Sequence, residues 1–186
     1  MTATTGDGNP LRQTVLGSRR FSNYLWATVC SIGGVGFLLA GLSSYSHVNL
    51  LLVSDTSMLQ FVPQGLALTF YGLIGSAFAA YQWLVAYWDV GGGYNQFNRE
   101  TGEIEIFRWG FPGENRRIEI RCRTEDVQSI KADIKDGLNP KRALYLALSD
   151  RRQIPLTRVG EPLALSELEN QGAALARFLA VPLEGL

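Results

Sequence analysis

The sequence predicts a membrane-anchored α+β protein, in which an N-terminal two-helix transmembrane hairpin precedes an antiparallel β-meander domain closed by a C-terminal helix. Three observations carry this reading. Two long apolar runs in the first half hold no charge, β-type alternation recurs through the second half, and apolar residues at helical spacing end the chain. The formal net charge of +0 hides an uneven distribution. Ahead of Asp89 the charged residues are Arg12, Arg19, Arg20, Asp7 and Asp55, whereas the other fourteen basic and fifteen acidic residues lie from Asp89 onward.

Residues 1–22 are expected to form a flexible cytoplasmic or stromal tail. Up to Ser18 they are rich in Thr, Gly and Asn, a composition that buries too little surface to order itself. The first spanning helix is placed at 23–45. Tyr24 to Tyr45 is uncharged and at about 1.5 Å per residue covers about 33 Å, enough for a bilayer core of about 30 Å. A cleaved signal fits less well, because no A-x-A site follows and a second apolar run does.

The loop 46–60 has no Lys or Arg, so it is the segment most readily translocated and is expected on the lumenal side. A second spanning helix is placed at 61–88, with an interfacial turn at Pro63. Aromatic residues agree with this orientation. Tyr24, Trp26, Trp83, Tyr87 and Trp88 mark the interface that the arginines share, while Tyr45 and Phe61 mark the other. Small residues recur at helical spacing, Gly36, Ala40 and Ser44 on the first helix and Gly72, Ser76 and Ala80 on the second. Such stripes let backbones approach closely in lipid, and the hairpin packing on itself is the favoured use of them. The remaining helix faces are open to lipid, to partner helices or to further copies in an oligomer.

Residues 89–93 are read as a glycine linker, with Gly91, Gly92 and Gly93 leading the chain out of the membrane. The domain 94–186 follows. Strands are predicted at Tyr94 to Phe97, Glu103 to Trp109, Arg117 to Arg123, Val127 to Ile134, Ala143 to Leu148 and Ile154 to Arg158, with turn signals such as Thr101-Gly102, Pro112-Gly113, Asp136-Gly137 and Asn139-Pro140 between them. Ile118, Ile120 and Cys122 share one face. A Ser166/Glu169 capping box and the spacing of Leu168, Leu175, Phe178 and Leu179 predict the closing helix, which Pro182 ends. A meander followed by one helix has the element order of a pleckstrin-homology-like barrel. A flat sheet crossed by a helix is the other arrangement considered.

No catalytic constellation is found, and no metal quartet or redox pair can be built from Cys30 and Cys122. Motifs for phosphate loops, zinc proteases and serine hydrolases are absent. His47, Gln64 and Gln82 could ligate a pigment, but polar loop and helix-end residues are the plainer reading. Basic pairs such as Arg116-Arg117, Lys141-Arg142 and Arg151-Arg152 are interspersed with acids, which argues against nucleic acid as a partner. No cofactor is expected, and the residues point to a non-enzymatic binding or scaffolding protein.

Four stretches carry a resemblance: Arg19-Arg20-Phe21-Ser22-Asn23-Tyr24-Leu25-Trp26-Ala27, Pro63-Gln64-Gly65 through Phe70-Tyr71-Gly72, Trp88-Asp89-Val90-Gly91-Gly92-Gly93-Tyr94-Asn95, and Ile106-Phe107-Arg108-Trp109-Gly110-Phe111-Pro112-Gly113. From Arg19 onward the chain resembles the photosystem I assembly protein family of cyanobacteria and chloroplasts. The resemblance implies a thylakoid protein that helps assemble photosystem I without belonging to the mature complex, its partners being photosystem I subunits or assembly intermediates. A pigment or lipid carrier of the same membrane is the alternative.

Arg108, Glu167 and Glu169 are the first candidates for partner binding. Arg108 continues the inward phase of Ile104 and Ile106, so its guanidinium requires a partner. One of the two glutamates is expected to brace it while the other faces outward. The aromatics Phe107 and Trp109, expected to be exposed, are the next candidates.

Overall fold

The computed structural model describes residues 3–4, 10–51, 54–135, 141–157 and 164–185. The chain divides into two units, one of residues 18–90 and the other of the segment ahead of Ser18 together with the chain from Gly91 onward.

The first unit is a pair of helices, α1 (Phe21–Ser46) and α2 (Leu66–Tyr87), the latter led in by a wide turn at Phe61–Gly65. Both are long and apolar enough to cross a membrane, and few of their residues are buried, 22% of the most apolar stretch in the first span and 11% in the second. A core helix would bury most of its apolar side chains, yet Phe21, Trp26, Ile32, Leu73 and Phe78 are all exposed.

The helices meet along small residues, which coincide only in part with the expected stripes. Besides Ala40, Ser43 and Ser44 of α1, the buried positions are Ala27, Gly34 and Gly41 on α1, and Gly65, Gly72, Ala79 and Ala86 along the second span. Their spacing is seven residues, the repeat of a heptad-type seam, rather than the four residues of a small-xxx-small stripe. A Cβ on Gly34 would stand 2.5 Å from the Ser76 amide nitrogen, and one on Gly72 would strike the Leu38 backbone. Gly36 faces open space and Ala80 is exposed, whereas Ala40, Ser44, Gly72 and Ser76 do lie toward the other helix. Ser44 lends its hydroxyl to the Leu59 carbonyl at 2.8 Å.

Among the described residues the second unit has nine strands in two sheets. The larger joins β1 (Ala3–Thr4), β2 (Leu11–Val15), β3 (Gly93–Asn98), β4 (Glu103–Trp109) and β5 (Arg117–Arg123) in that order, all antiparallel. The smaller joins β8 (Gln153–Pro155), β7 (Lys141–Leu148), β6 (Val127–Lys135) and β9 (Leu183–Glu184), the last contact parallel. Among the described residues no closed barrel forms. After β5 a single helical turn at Thr124–Asp126 redirects the chain, so that β6 pairs with β7 and not with β5. Helix α3 (Leu165–Leu179) packs on β6, β7 and β9. One apolar core draws Phe97, Ile104 and Ile106 from the larger sheet, Ile130, Leu144 and Leu146 from the smaller, and Leu168, Leu175 and Leu179 from α3.

Several local expectations change. Leu11–Val15, assigned to the tail, forms β2 against β3, with Gln13 and Val15 buried. The glycine triplet is more than a linker: the Gly91 amide donates to the Trp109 carbonyl and the Trp109 amide to the Gly92 carbonyl, both at 2.7 Å, and Gly93 opens β3. Glycine is required there, because a Cβ on Gly93 would overlap the Phe107 carbonyl. Ser166 does not form its capping box: α3 begins at Leu165 with Ala164 as its cap and no side-chain capping bond. The turn signals at Asp136-Gly137 and Asn139-Pro140, and the end of the last predicted strand at Arg158, lie outside the described residues.

Candidate functional site

Alternation along the larger sheet sorts its side chains into two faces, and each candidate residue on it has a definite side. Register places Tyr94 beside Phe107 and Trp109 beside Arg117, while Asn95, Ile104, Ile106 and Arg108 fall on the core side.

On the core side Arg108 is bound as expected, but to other groups. Its Nη1 donates to the carbonyls of Tyr94 (3.0 Å) and Phe107 (2.8 Å), and its Nη2 to Asn95 Oδ1 (2.6 Å) and the Leu156 carbonyl (3.0 Å). Asn95, fully buried, donates its own amide to the same Leu156 oxygen at 2.9 Å. Leu156 and Thr157 in turn bond to Leu144 of β7, so the network ties the larger sheet to the smaller. Room for the guanidinium comes from Gly93, which sits opposite Arg108 in the register and has no side chain. Burial pushes the Arg108 pKa down to about 10, so the group stays cationic near neutral pH. Neither Glu167 nor Glu169 is its partner. Both are exposed on the first turns of α3, which lies on the smaller sheet, and Glu167 accepts a bond from Gln171 at 3.1 Å.

The other face carries a row of alternating cations and rings. The Arg12 guanidinium stands 4.0 Å over Tyr94, Tyr94 stacks on Phe107 at 5.3 Å, Phe107 meets Trp109 edge-on at 4.9 Å, and Arg116 and Arg117 lie 5.4 and 5.7 Å from Trp109. Each contact is of the cation–π or aromatic-pair type, worth about 0.5–1.5 kcal/mol. Phe107 is therefore not the exposed aromatic the alternation suggested: held in the middle of the row, it is 8% accessible, while Trp109 is half-buried. The Tyr94 hydroxyl donates to Glu105 at 3.0 Å, and desolvation together with that carboxylate raises its pKa. Beside the row, Glu119 pairs with Arg121.

Sequence reasoning missed Asn95 and Arg12. The signal for Asn95 was available, since it precedes Phe97 by two residues and so shares its inward phase. Arg12 could be placed only by knowing that β2 exists.

The pigment-ligand candidates have ordinary surroundings. His47 Nδ1 lies 3.2 Å from the Ser57 carbonyl, Gln82 donates to Cys30 Sγ at 3.4 Å, and Gln64 is exposed. The Cys122 thiol, half-buried beside Asp126 and Asp150, has its pKa raised chiefly by burial.

Comparison with known proteins bears on this arrangement as a whole. The family model described as Ycf4 matches residues 8–177 of the chain. Among curated relatives, the chain is 67% identical over 184 residues to the photosystem I assembly protein Ycf4 of Rippkaea orientalis, covering 99% of this chain and 98% of that one. It is 63% identical to the protein of the same name from Trichodesmium erythraeum, covering 100% of both. With that of Synechocystis sp. it shares 65% identity, over 95% of this chain and 94% of the relative.

Proposed function

The chain belongs to the Ycf4 family, and from that premise we propose that it is a non-catalytic photosystem I assembly factor of the thylakoid membrane. The observation that carries the proposal is identity of 63–67% along nearly the whole length of relatives named for that task. At such identity, sustained end to end, both units of the chain have counterparts in the relatives.

In this reading α1 and α2 span the bilayer, and both termini lie on the cytoplasmic or stromal side. Three features support it. The helices leave large apolar side chains uncovered. Arg19 and Arg20 flank α1, while the connecting loop has no Lys or Arg. Val15 of β2 pairs with Gly93 of β3, so the chain enters the hairpin and leaves it from strands of one sheet. Photosystem I subunits are contacted by the second unit, at the Trp109 end of the cation–aromatic row with Arg116 and Arg117, and at the exposed acids Glu167 and Glu169 of α3. Arg108 serves the contact indirectly, by holding the two sheets together beneath Trp109.

The test is affinity purification of the tagged full-length chain from solubilised thylakoids. Photosystem I subunits in partly assembled form are expected to co-purify, and deletion of the gene is expected to reduce photosystem I accumulation. Normal accumulation under all growth conditions, with no subunit retained, would reject the proposal.

A further inference from the structure

Where α1 begins and α2 ends, the chain builds a small site that the partner-binding proposal does not use. Ser18 Oγ donates to the Val85 carbonyl at 2.6 Å, and Asn23 Nδ2 returns to the Ser18 carbonyl at 2.8 Å. These bonds fix Arg19 across the end of α2, where its Nε donates to the Ala86 carbonyl (3.3 Å) and its Nη2 to the Tyr87 carbonyl (3.0 Å). The Ala86 carbonyl also accepts from the Asp89 amide, and the last carbonyls of a helix carry partial negative charge, so a guanidinium is well placed there. Two of the roughly five N–H donors of an arginine are used in this way, and the others are left for an acceptor outside the chain.

Beside the guanidinium is an open cavity of about 260 Å³ lined by Arg19, Tyr24, Trp83, Ala86 and Tyr87. Its walls differ in kind. The Tyr24 and Trp83 rings, 6.0 Å apart and tilted, form an apolar side whose orientation is fixed by the Trp83 indole N–H donating to Ser31 Oγ at 3.0 Å. Tyr87 stands at the mouth, largely exposed. A cation held beside amphipathic rings at the end of an apolar helix is the chemistry that receives a lipid headgroup: the charge meets the anion and the rings meet the glycerol and upper acyl carbons.

We propose that this cavity seats the phosphate of an anionic phospholipid, with Arg19 as its charged ligand and Tyr24 and Trp83 as the surface for the upper chain. The inference rests on the membrane reading given above. A free phosphate would share the charged contact but would leave the aromatic wall unused, and this decides for the lipid. Arg20 adds positive charge at the same end of the hairpin, and Asp89 is the first acid after α2.

Native mass spectrometry of the detergent-solubilised full-length chain, with added phosphatidylglycerol or phosphatidylcholine, tests the proposal. One phosphatidylglycerol should be retained in preference to phosphatidylcholine. Arg19→Gln should weaken that retention about tenfold, the scale of one charge-assisted contact, and Trp83→Ala should weaken it as well. Crosslinking of Cys30 to a Gln82→Cys substitution, carried in each variant, reports that the hairpin is intact. Wild-type retention by Arg19→Gln with an intact hairpin would overturn the proposal. So would displacement of the lipid by millimolar inorganic phosphate, since the site would then be a plain anion site. Carbonate extraction of native membranes distinguishes failure of the premise: a chain released by carbonate refutes the spanning helices themselves and the lipid seat with them.

Discussion

Arg108 and Asn95 lie on adjacent strands, two register positions apart, and share one acceptor: both donate to the Leu156 carbonyl while the Asn95 side-chain oxygen accepts from Arg108. A half-buried cation thus has four hydrogen-bond acceptors that are all uncharged. Arg108→Ala leaves those acceptors in the interior and should destabilise the protein by about 2–4 kcal/mol, read as a lowered thermal midpoint of the full-length chain in detergent. Arg108→Lys should recover only part of the loss, because an ammonium cannot span the same fork of acceptors. Glu167→Gln and Glu169→Gln should leave the midpoint within about 0.5 kcal/mol of wild type, as substitutions of exposed residues usually do.

Truncation ahead of Gly17 removes β2 and uncovers the edge of β3. A flexible tail could be lost at no cost, whereas a strand with Gln13 and Val15 buried cannot. The expected result is a lower midpoint, with Val15→Asp alone costing about 2 kcal/mol or more. An unchanged midpoint in both variants would contradict the pairing of β2 with β3.

The helix seam makes a selective prediction. Gly34→Leu and Gly72→Leu place side chains where backbone already stands and should separate the helices, while Gly36→Leu projects into open space and should be tolerated. Crosslinking yield between Cys30 and a Gln82→Cys substitution, high in the parent and the Gly36 variant and low in the other two, is the measurement.

Cys122 should be a sluggish nucleophile. Burial, aided by Asp126, raises its pKa, so less thiolate is present at pH 8 than in an exposed cysteine. Alkylation by iodoacetamide, followed by intact mass, should be slow in the folded chain, quicken as pH rises, and become fast on denaturation. Fast reaction of the folded chain at pH 8 would contradict the burial.

Replacing Arg116 and Arg117 together by Ala removes the cations beside Trp109 at an exposed position. Stability should change by about 1 kcal/mol or less, while recovery of photosystem I subunits with the tagged chain should fall. If recovery holds at wild-type level, the contact lies elsewhere, and Glu167 and Glu169 become the positions to test.

The elements legible in the sequence were those whose pattern is local. β4 and β5 have the limits that alternation gave them, and Ile104, Ile106, Ile120 and Cys122 face the core as read, although Ile118 at the end of β5 is 45% exposed. What was not legible depends on distant partners. Leu11–Val15 alternates weakly among Gly, Asn and Thr, and only β3 shows it to be a strand. The glycines of α1 outnumber those its seam uses, so a four-residue stripe and a seven-residue stripe could both be drawn, and packing against α2 uses the second together with Ala40 and Ser44 of the first. Arg108 has the inward phase that alternation predicts, but its charge alone points to an acid on α3 as the partner. Three backbone carbonyls, which no sequence displays, satisfy it instead, together with the Asn95 side-chain oxygen.

The register of Val15 with Gly93 also bears on how the protein is made. The larger sheet is interrupted in sequence by the whole hairpin, so its second strand leaves the ribosome roughly eighty residues before the strand it must join, an interval of about 4–16 s at ordinary elongation rates. During that interval the segment has only the two-residue β1 to pair with. Closure of the sheet is consequently a checkpoint in biosynthesis, reached only after both apolar helices have been translated, and a ribosome stalled before Gly93 would display an anchor with an unfinished domain.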